Sequence, residues 1–305
     1  EASALEAENA EALVLALRIQ AECSFEHGNY PEASDFALRA QVAAQDSSDL
    51  EEAIRCELLL GLIFGAQSNW DQAISFYEAA LARINKSCPG HHELQGECLF
   101  HLGMVHQERG VLAKALPLFI KSLQHWEKCG GQRGMATVAN ALADVARNQG
   151  RMDRAMDWYR RAKKVYDSIG AWQANIVRLN LSMVMMLDDR FEDAHPEVLS
   201  CLQSFQGEGH ESWLAIAYAF ALPGCAHHGD WTDFDHYLTE ATDRLELLSF
   251  SDRDLAQVFE IAGELASQNE ETRRADLCFL QAATQWRSLD CPAEANAASL
   301  RAGVN

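Results

Sequence analysis

The sequence contains few of the residues that interrupt regular structure. Proline occurs 6 times and glycine 18 times among 305 residues, and no tract rich in Pro, Gly or Ser is present. A flexible linker is therefore not expected. The longest apolar run, Leu214 to Ala226, contains Pro223 and is too short to span a bilayer. The chain starts at Glu1 without a methionine or a signal-peptide pattern, which favours a trimmed chain or a piece of a longer protein.

Closely spaced cysteines are also lacking. The 9 cysteines are widely and irregularly separated, and none forms a Cys-x-x-Cys pair. Secreted disulfide frameworks are short and cysteine-dense, and an odd number leaves one thiol over. Cys56, Cys98 and Cys278 fall within helical patterns and are predicted to be small core residues. We therefore expect a reducing, cytoplasmic location.

Basic residues are scarce, since 25 Lys and Arg stand against 45 Asp and Glu, for a net charge of −20. Such a chain repels nucleic acid and anionic membranes, so neither is expected as a partner. The exception is a basic segment, which comprises Arg147, Arg151, Arg154, Arg160, Arg161, Lys163 and Lys164. A solvated helix face is the simpler interpretation, and a docking patch for an acidic partner is the alternative.

The common catalytic motifs are missing. The sequence has no phosphate-binding Gly-x-x-x-x-Gly-Lys loop, no Gly-x-Ser-x-Gly elbow and no His-Glu-x-x-His zinc helix. Gly130-Gly131 precedes a predicted helix and could cradle an anion, although a turn between repeats explains these glycines more simply. We predict that the chain is not an enzyme and carries no cofactor.

Two groups of residues have metal-ligand spacing. His125 and Cys129 are four apart, and Asp233, His236 and Glu240 share one helical face. A zinc site needs three or four converging ligands, and no third ligand accompanies the first pair. Exposed polar residues on long helices are the simpler interpretation, so no metal is predicted.

What the chain does contain is a regular internal repeat. One small residue recurs about every 40 residues, with Phe234 as the one large exception. These seven positions are Ala33, Ala73, Ala115, Ala155, Ala194, Phe234 and Ala275. A nearly constant period of this length is typical of stacked supersecondary units that bury their apolar faces against their neighbours.

Each period reads as two helices. Apolar residues recur at helical spacing on both sides of breaks such as Gly150-Arg151, and no stretch alternates with period two. The predicted fold class is therefore all-α. At the recurring alanine a small side chain lets two helices approach closely, and a bulky one would overpack the crossing. Phe234 and Pro223 break this pattern, so a kink, shifted packing or hinge is expected in the sixth repeat.

The residues around these alanines resemble the tetratricopeptide repeat (TPR) family. The matching positions are Gly61, Trp70, Ala73, Tyr77 and Ala80, and Gly103, Gly110, Ala115 and Phe119. The long period is similar to the variant found in kinesin light chains, polarity scaffolds and bacterial signalling regulators. Residues 130–162 also resemble the repeat arrays of bacterial STAND-type ATPases and their kinase-linked relatives.

The resemblance implies one right-handed superhelical solenoid over residues 1–305. Its repeats are expected at about 10–48, 50–88, 91–129, 132–169, 171–206, 211–249 and 252–290, followed by a capping helix at 292–303. The first helix of each pair would line an inner, concave groove.

Counting back from the key alanines gives the candidate partner-binding residues. They are Arg55, Leu62, His101, Met104, Asn140, Asp144, Arg147, Asn180, Met183 and Met186. Asparagines can clamp a peptide backbone because they donate and accept, and methionines offer an adaptable apolar surface. Alternatively, Met183 and Met186 belong to the core between repeats, and the asparagines cap or solvate helices.

Two functions remain open at this point. The first is a non-catalytic protein–protein interaction module, acting as a scaffold or regulatory region of a larger signalling protein, with a peptide or protein segment in its groove. The alternative is the sensor or autoinhibitory domain of a STAND-type ATPase or kinase regulator, which binds a small molecule or its own other domains.

Overall fold

The computed structural model describes residues 2–46, 50–208, 210–248 and 250–303. These residues contain 15 α-helices and no strand, as the sequence predicts. They divide into two compact units, with the boundary between Gln149 and Gly150. The division falls between the two helices of the fourth predicted repeat. The predicted repeat boundaries near residues 48 and 209 fall on positions outside the described residues.

The first unit consists of seven helices. They are α1 (Ala2–Glu26), α2 (Tyr30–Asp46), α3 (Leu50–Ala66), α4 (Trp70–Ser87), α5 (His92–Glu108), α6 (Leu112–Cys129) and α7 (Gln132–Asn148). Helices α1 and α2, α3 and α4, and α5 and α6 pack as pairs, and each pair packs on the next. The odd-numbered helices also contact one another in order from α1 to α7, so they form one layer of the unit.

The second unit continues with eight helices. They are α8 (Met152–Ser168), α9 (Ala174–Leu187), α10 (Phe191–Glu208), α11 (Glu211–His228), α12 (Trp231–Leu248), α13 (Arg253–Gln268), α14 (Thr272–Ser288) and α15 (Pro292–Arg301). Helices α9 to α14 pack as three pairs, and α15 packs against α14, where the sequence predicts a capping helix.

Turns within the pairs share one left-handed residue. Glycine occupies this position in three of the six pairs, for example Gly110 with a φ of 72°. Ser68, Asp189 and Glu270 adopt similar positive φ angles of 59°, 55° and 64°. Glycine takes this conformation without strain, which explains why it recurs at these turns.

The recurring alanines lie buried between packed helices. Each has at most 3% of its surface exposed, and Phe234 at the sixth position is also fully buried. In three pairs a glycine of the first helix faces the aromatic residue four positions after the alanine. A Cβ at Gly61 would lie 2.5 Å from the Tyr77 ring, and Gly103 stands in the same relation to Phe119. Small residues on both helices thus make room for one buried ring.

In the sixth repeat, Pro223 and Phe234 both lie within continuous helices. Helix α11 continues through Pro223 without a break, and Pro223 is buried. The neighbouring Gly224 faces α10, where a Cβ would lie 2.8 Å from the Cβ of His195. Close packing here therefore depends on a glycine of the first helix as well.

A larger side chain at a buried alanine between α3 and α4 should destabilise the first unit. Ala80 is fully buried between α3 and α4, whereas the adjacent Ala79 is exposed. We expect Ala80→Leu to lower the free energy of unfolding by about 2 kcal/mol, because the added methyl groups have no space. Ala79→Leu should change it by less than about 0.5 kcal/mol. Chemical denaturation followed by circular dichroism compares the two, and equal effects would contradict close packing at Ala80.

Candidate binding groove

The odd-numbered helices of the first unit carry a groove with two cavities. The first cavity, of about 280 Å³, lies along α1, α3 and α5. Its lining combines charged side chains with an apolar floor. The residues are Arg18, Glu22, Phe25, Glu26, Arg55, Leu58, Leu59, Leu62, Glu97 and His101.

The second cavity, of about 570 Å³, extends toward α7. Its lining includes Glu93, Phe100, Trp126, Gly131, Gln132, Arg133, Gly134, Thr137 and Val138. Arg55, Glu97 and His101 line both cavities, so the two form one continuous surface. Three of the predicted binding residues, Arg55, Leu62 and His101, lie on this surface.

Trp126 reaches the second cavity from α6, although its neighbours in the lining are mainly on α5 and α7. Glycines surround its indole. A Cβ at Gly96 would lie 2.9 Å from Nε1, one at Gly131 would lie 2.9 Å from Cζ3, and one at Gly134 would lie 2.5 Å from Cε3. Any side chain at these positions would occupy the space of the ring. The three glycines therefore make the slot through which Trp126 lines the groove.

Arginines in the groove are held by neighbouring carboxylates. Arg18 donates from Nε to Glu52 at 2.8 Å and also pairs with Glu22. Arg55 donates to Glu51 from Nη2 at 2.7 Å and from Nε at 3.2 Å. These pairs orient both guanidinium groups and compensate much of their charge.

Glu97 and His101 follow one another on the groove face of α5. Burial raises the pKa of the Glu97 carboxyl, and the charge of Glu93 adds to this, while Arg55 opposes it. Burial lowers the pKa of His101 to about 4, and its ring stacks on Tyr77 with centroids 5.7 Å apart. His101 is therefore neutral at pH 7 and supplies no positive charge to the groove.

The remaining predicted residues of the first unit line neither of these cavities. Met104 is half-buried on α5 and lines neither cavity. On α7, Asn140 Nδ2 lies 3.4 Å from Asp144 Oδ2, and Asp144 Oδ1 lies 4.0 Å from Arg147 Nη2. These three side chains form a chain of polar contacts along the helix.

The methionines of the second unit lie in its hydrophobic core. Met183 is fully buried on α9, and Met186 is 3% exposed. The structure thus places Met183 inside the core and not on an accessible groove, as the alternative interpretation of the sequence holds. Met186 borders a separate cavity of about 450 Å³ together with residues of α11 and α13. Asn180 is half-buried on α9.

The residues with metal-ligand spacing do not assemble a cluster. In the described ranges, no three His, Cys, Asp or Glu side chains are placed to hold a metal ion. His125 contacts His92 instead, with their Nδ1 atoms 3.2 Å apart. All nine cysteines are free thiols, and burial raises the pKa of Cys56 and Cys98 to about 12. Such thiols are unreactive core residues.

The structure also places the basic segment and the Gly130-Gly131 turn. Within the basic segment, Lys163 pairs with Asp167 at 2.9 Å and Arg160 with Asp157 at 3.7 Å on α8. Gly130 ends α6 with a φ of 71°, and Gly131 precedes α7, as a turn between repeats requires. None of the helices in the described part of the chain has the length and apolar composition needed to cross a bilayer.

Sequence reasoning missed the aromatic lining of the groove. Phe25, Phe100 and Trp126 lie outside the positions counted back from the alanines. Gly96 and Gly134 were the available signal, because a helix interior rarely keeps a glycine without a packing reason.

Comparison with known proteins agrees with this architecture. Two family models described as tetratricopeptide repeat match residues 58–122 and 97–168. These matches include most of the groove and the first helix of the second unit. No curated protein matches the chain.

Solved structures with similar folds cover nearly the whole chain. A Rap protein complexed with competence and sporulation factor aligns with a TM-score of 0.71 and 14% identity over 93% of this chain and 76% of its own. The Rap conjugation gene regulator of plasmid pLS20, in complex with the Phr* peptide, aligns with a TM-score of 0.66 and 15% identity. This alignment covers 94% of this chain and 73% of the regulator. The apo form of the quorum sensor NprR from B. thuringiensis aligns with a TM-score of 0.58 and 13% identity. This alignment covers 95% of this chain and 75% of NprR. At these identities the likeness concerns the fold.

Proposed function

Because the chain is a tetratricopeptide-like repeat protein, we propose that the groove of its first unit binds a segment of a peptide or protein. The observation that carries this proposal is the continuous surface formed by the two cavities, which share Arg55, Glu97 and His101. The proposed activity is non-catalytic binding, as part of a scaffold or regulatory protein.

The chemistry of the groove supports an extended ligand. Apolar side chains such as Leu62 and Phe100 alternate with charged groups, so the surface can contact both the side chains and the backbone of a peptide. Asn140 and Asp144 would extend this surface along α7. Arg18 and Arg55 are already oriented by carboxylates, which reduces the conformational entropy lost on binding.

Two of the structurally similar proteins also support this proposal. One was solved with the Phr* peptide and the other with competence and sporulation factor. A fold of this kind can therefore hold such ligands, and the two cavities support a ligand site on the first unit of this chain.

Peptide binding is tested with an array of short random-sequence peptides probed with the labelled chain. Selected peptides are then titrated by calorimetry, and we expect dissociation constants in the micromolar range. Leu62→Glu places a charge on the apolar floor of the first cavity and should weaken binding at least about tenfold. Ile120→Glu is the matched control, because Ile120 is 44% exposed on α6.

Both variants must retain the helical circular dichroism of the wild type. Equal affinities for Leu62→Glu and the wild type would place binding outside this groove. Absence of any selective peptide binding would contradict the proposed function.

A further inference from the structure

The second cavity has an aromatic surface that the protein maintains by a special packing arrangement. Trp126 passes between α5 and α7 through a slot made by Gly96, Gly131 and Gly134, and Phe100 lies on the same cavity. Gly96 and Gly134 lie within helices, where glycine costs about 1 kcal/mol of stability relative to alanine. Aromatic faces attract apolar groups and also cations, through the negative potential of the ring face.

Two carboxylates border this aromatic surface. Glu93 and Glu97 are four residues apart on α5, so they share one face of the helix, and both line the cavity. Like charges at this spacing destabilise a helix slightly. No hydrogen bond or ion pair holds the Glu97 carboxylate among the residues that the structure describes. Burial raises its pKa, and the charge of Arg55 offsets that shift only in part.

The positive groups nearby compensate the charge of Glu93 and Glu97 only in part. Arg55 is engaged by two hydrogen bonds to Glu51, and His101 is neutral because burial lowers its pKa to about 4. Arg133, at the start of α7, is the one further cation of the lining. Residues 1–149 carry 20 acidic and 11 basic side chains, a net charge of −9, so the unit attracts cations from a distance.

We propose that the second cavity receives a basic side chain, arginine or lysine, of the peptide bound in the groove. The aliphatic part of that side chain packs on Trp126 and Phe100, and its cationic end lies against Glu93 and Glu97. A cation there gives the Glu97 carboxylate a direct ion-pair partner, which it lacks within the described residues. The cavity of about 570 Å³ has ample room for one such side chain. This inference rests on the proposed function and specifies the class of ligand.

The test uses the peptides selected from the array. Each basic residue of a selected peptide is replaced in turn, arginine by citrulline and lysine by norleucine, which remove the charge while keeping the aliphatic part of the side chain. We expect one replacement to weaken binding to the wild type at least about tenfold. The same replacement should change binding to Glu97→Gln less than about threefold, because that variant has already lost the charged contact.

Glu78→Gln, an exposed position on α4, serves as the control and should behave as the wild type. Selection of peptides without a basic residue would overturn this inference and leave the proposed function standing. So would an equal loss on the wild type and on Glu97→Gln. If no peptide binds in a manner sensitive to Leu62→Glu, the proposed function fails first, and this inference fails with it.

Discussion

Gly224→Leu is expected to lower the free energy of unfolding of the second unit by about 3 kcal/mol. Gly224 lies within α11 and faces His195 of α10, where an added Cβ would lie 2.8 Å from the Cβ of that histidine. This atom is part of the stem of the side chain, so a rotation of the ring cannot relieve the overlap. The two helices must separate, and the buried residues around Phe220 lose contacts.

The matched control is Gly207→Leu in α10. Gly207 is a helical glycine of the same unit, and a Cβ there would meet no atom within 4 Å. Leucine is a better helix former than glycine, so this control should leave stability unchanged or raise it by about 0.5 kcal/mol. Urea denaturation of both variants measures the difference. Comparable stabilities for the two would show that α10 and α11 do not require the glycine.

The regular part of the fold could be predicted because each repeat carries the same local information. The constant period, the alanines and the glycine breaks are short-range patterns, and they locate the helix pairs closely. Phe234 shows the limit of this reasoning. It occupies an alanine position and is fully buried, and the space for it depends on residues of neighbouring helices that a single repeat does not specify.

The groove could be predicted in part. Arg55, Leu62 and His101 line the first cavity because α3 and α5 present one face to it at a spacing that can be counted from the alanines. Counting back from the alanines also selected Met183, which lies in the hydrophobic core. Helix α9 is apolar on almost every side, so its sequence does not distinguish the face toward the groove from the faces toward the core.

Trp126 could not be assigned to the groove from its own position in the sequence. It belongs to the second helix of its pair, and it reaches the cavity through contacts with Gly96 on the preceding helix and with Gly131 and Gly134 after it. Such contacts depend on the distance between helices, which follows from the packing of the whole unit. Clusters of glycines opposite one large aromatic residue are therefore the feature to look for in related repeats.

Gly134→Ala should abolish or strongly weaken peptide binding while the first unit remains folded. The alanine Cβ would lie within the space of the Trp126 indole, 2.5 Å from Cε3 and closer still to two other ring atoms. The ring must leave its slot, and the aromatic surface of the second cavity moves with it. We expect a loss of affinity of at least about 30-fold, since one desolvated aromatic contact contributes about 2 kcal/mol or more. Helix propensity favours alanine here, which limits the loss of stability.

Titration of a selected peptide measures the affinity, and fluorine NMR of the 5-fluorotryptophan protein reports on the ring. The Trp126 resonance, assigned by its absence in Trp126→Phe, should shift in Gly134→Ala more than the resonances of the other tryptophans. Gly65→Ala is the control, because a Cβ there would meet its nearest neighbour, the Ala73 Cβ, at 4.0 Å. A displaced Trp126 resonance with unchanged affinity would show that the indole is a structural element of the repeat and not part of the binding surface.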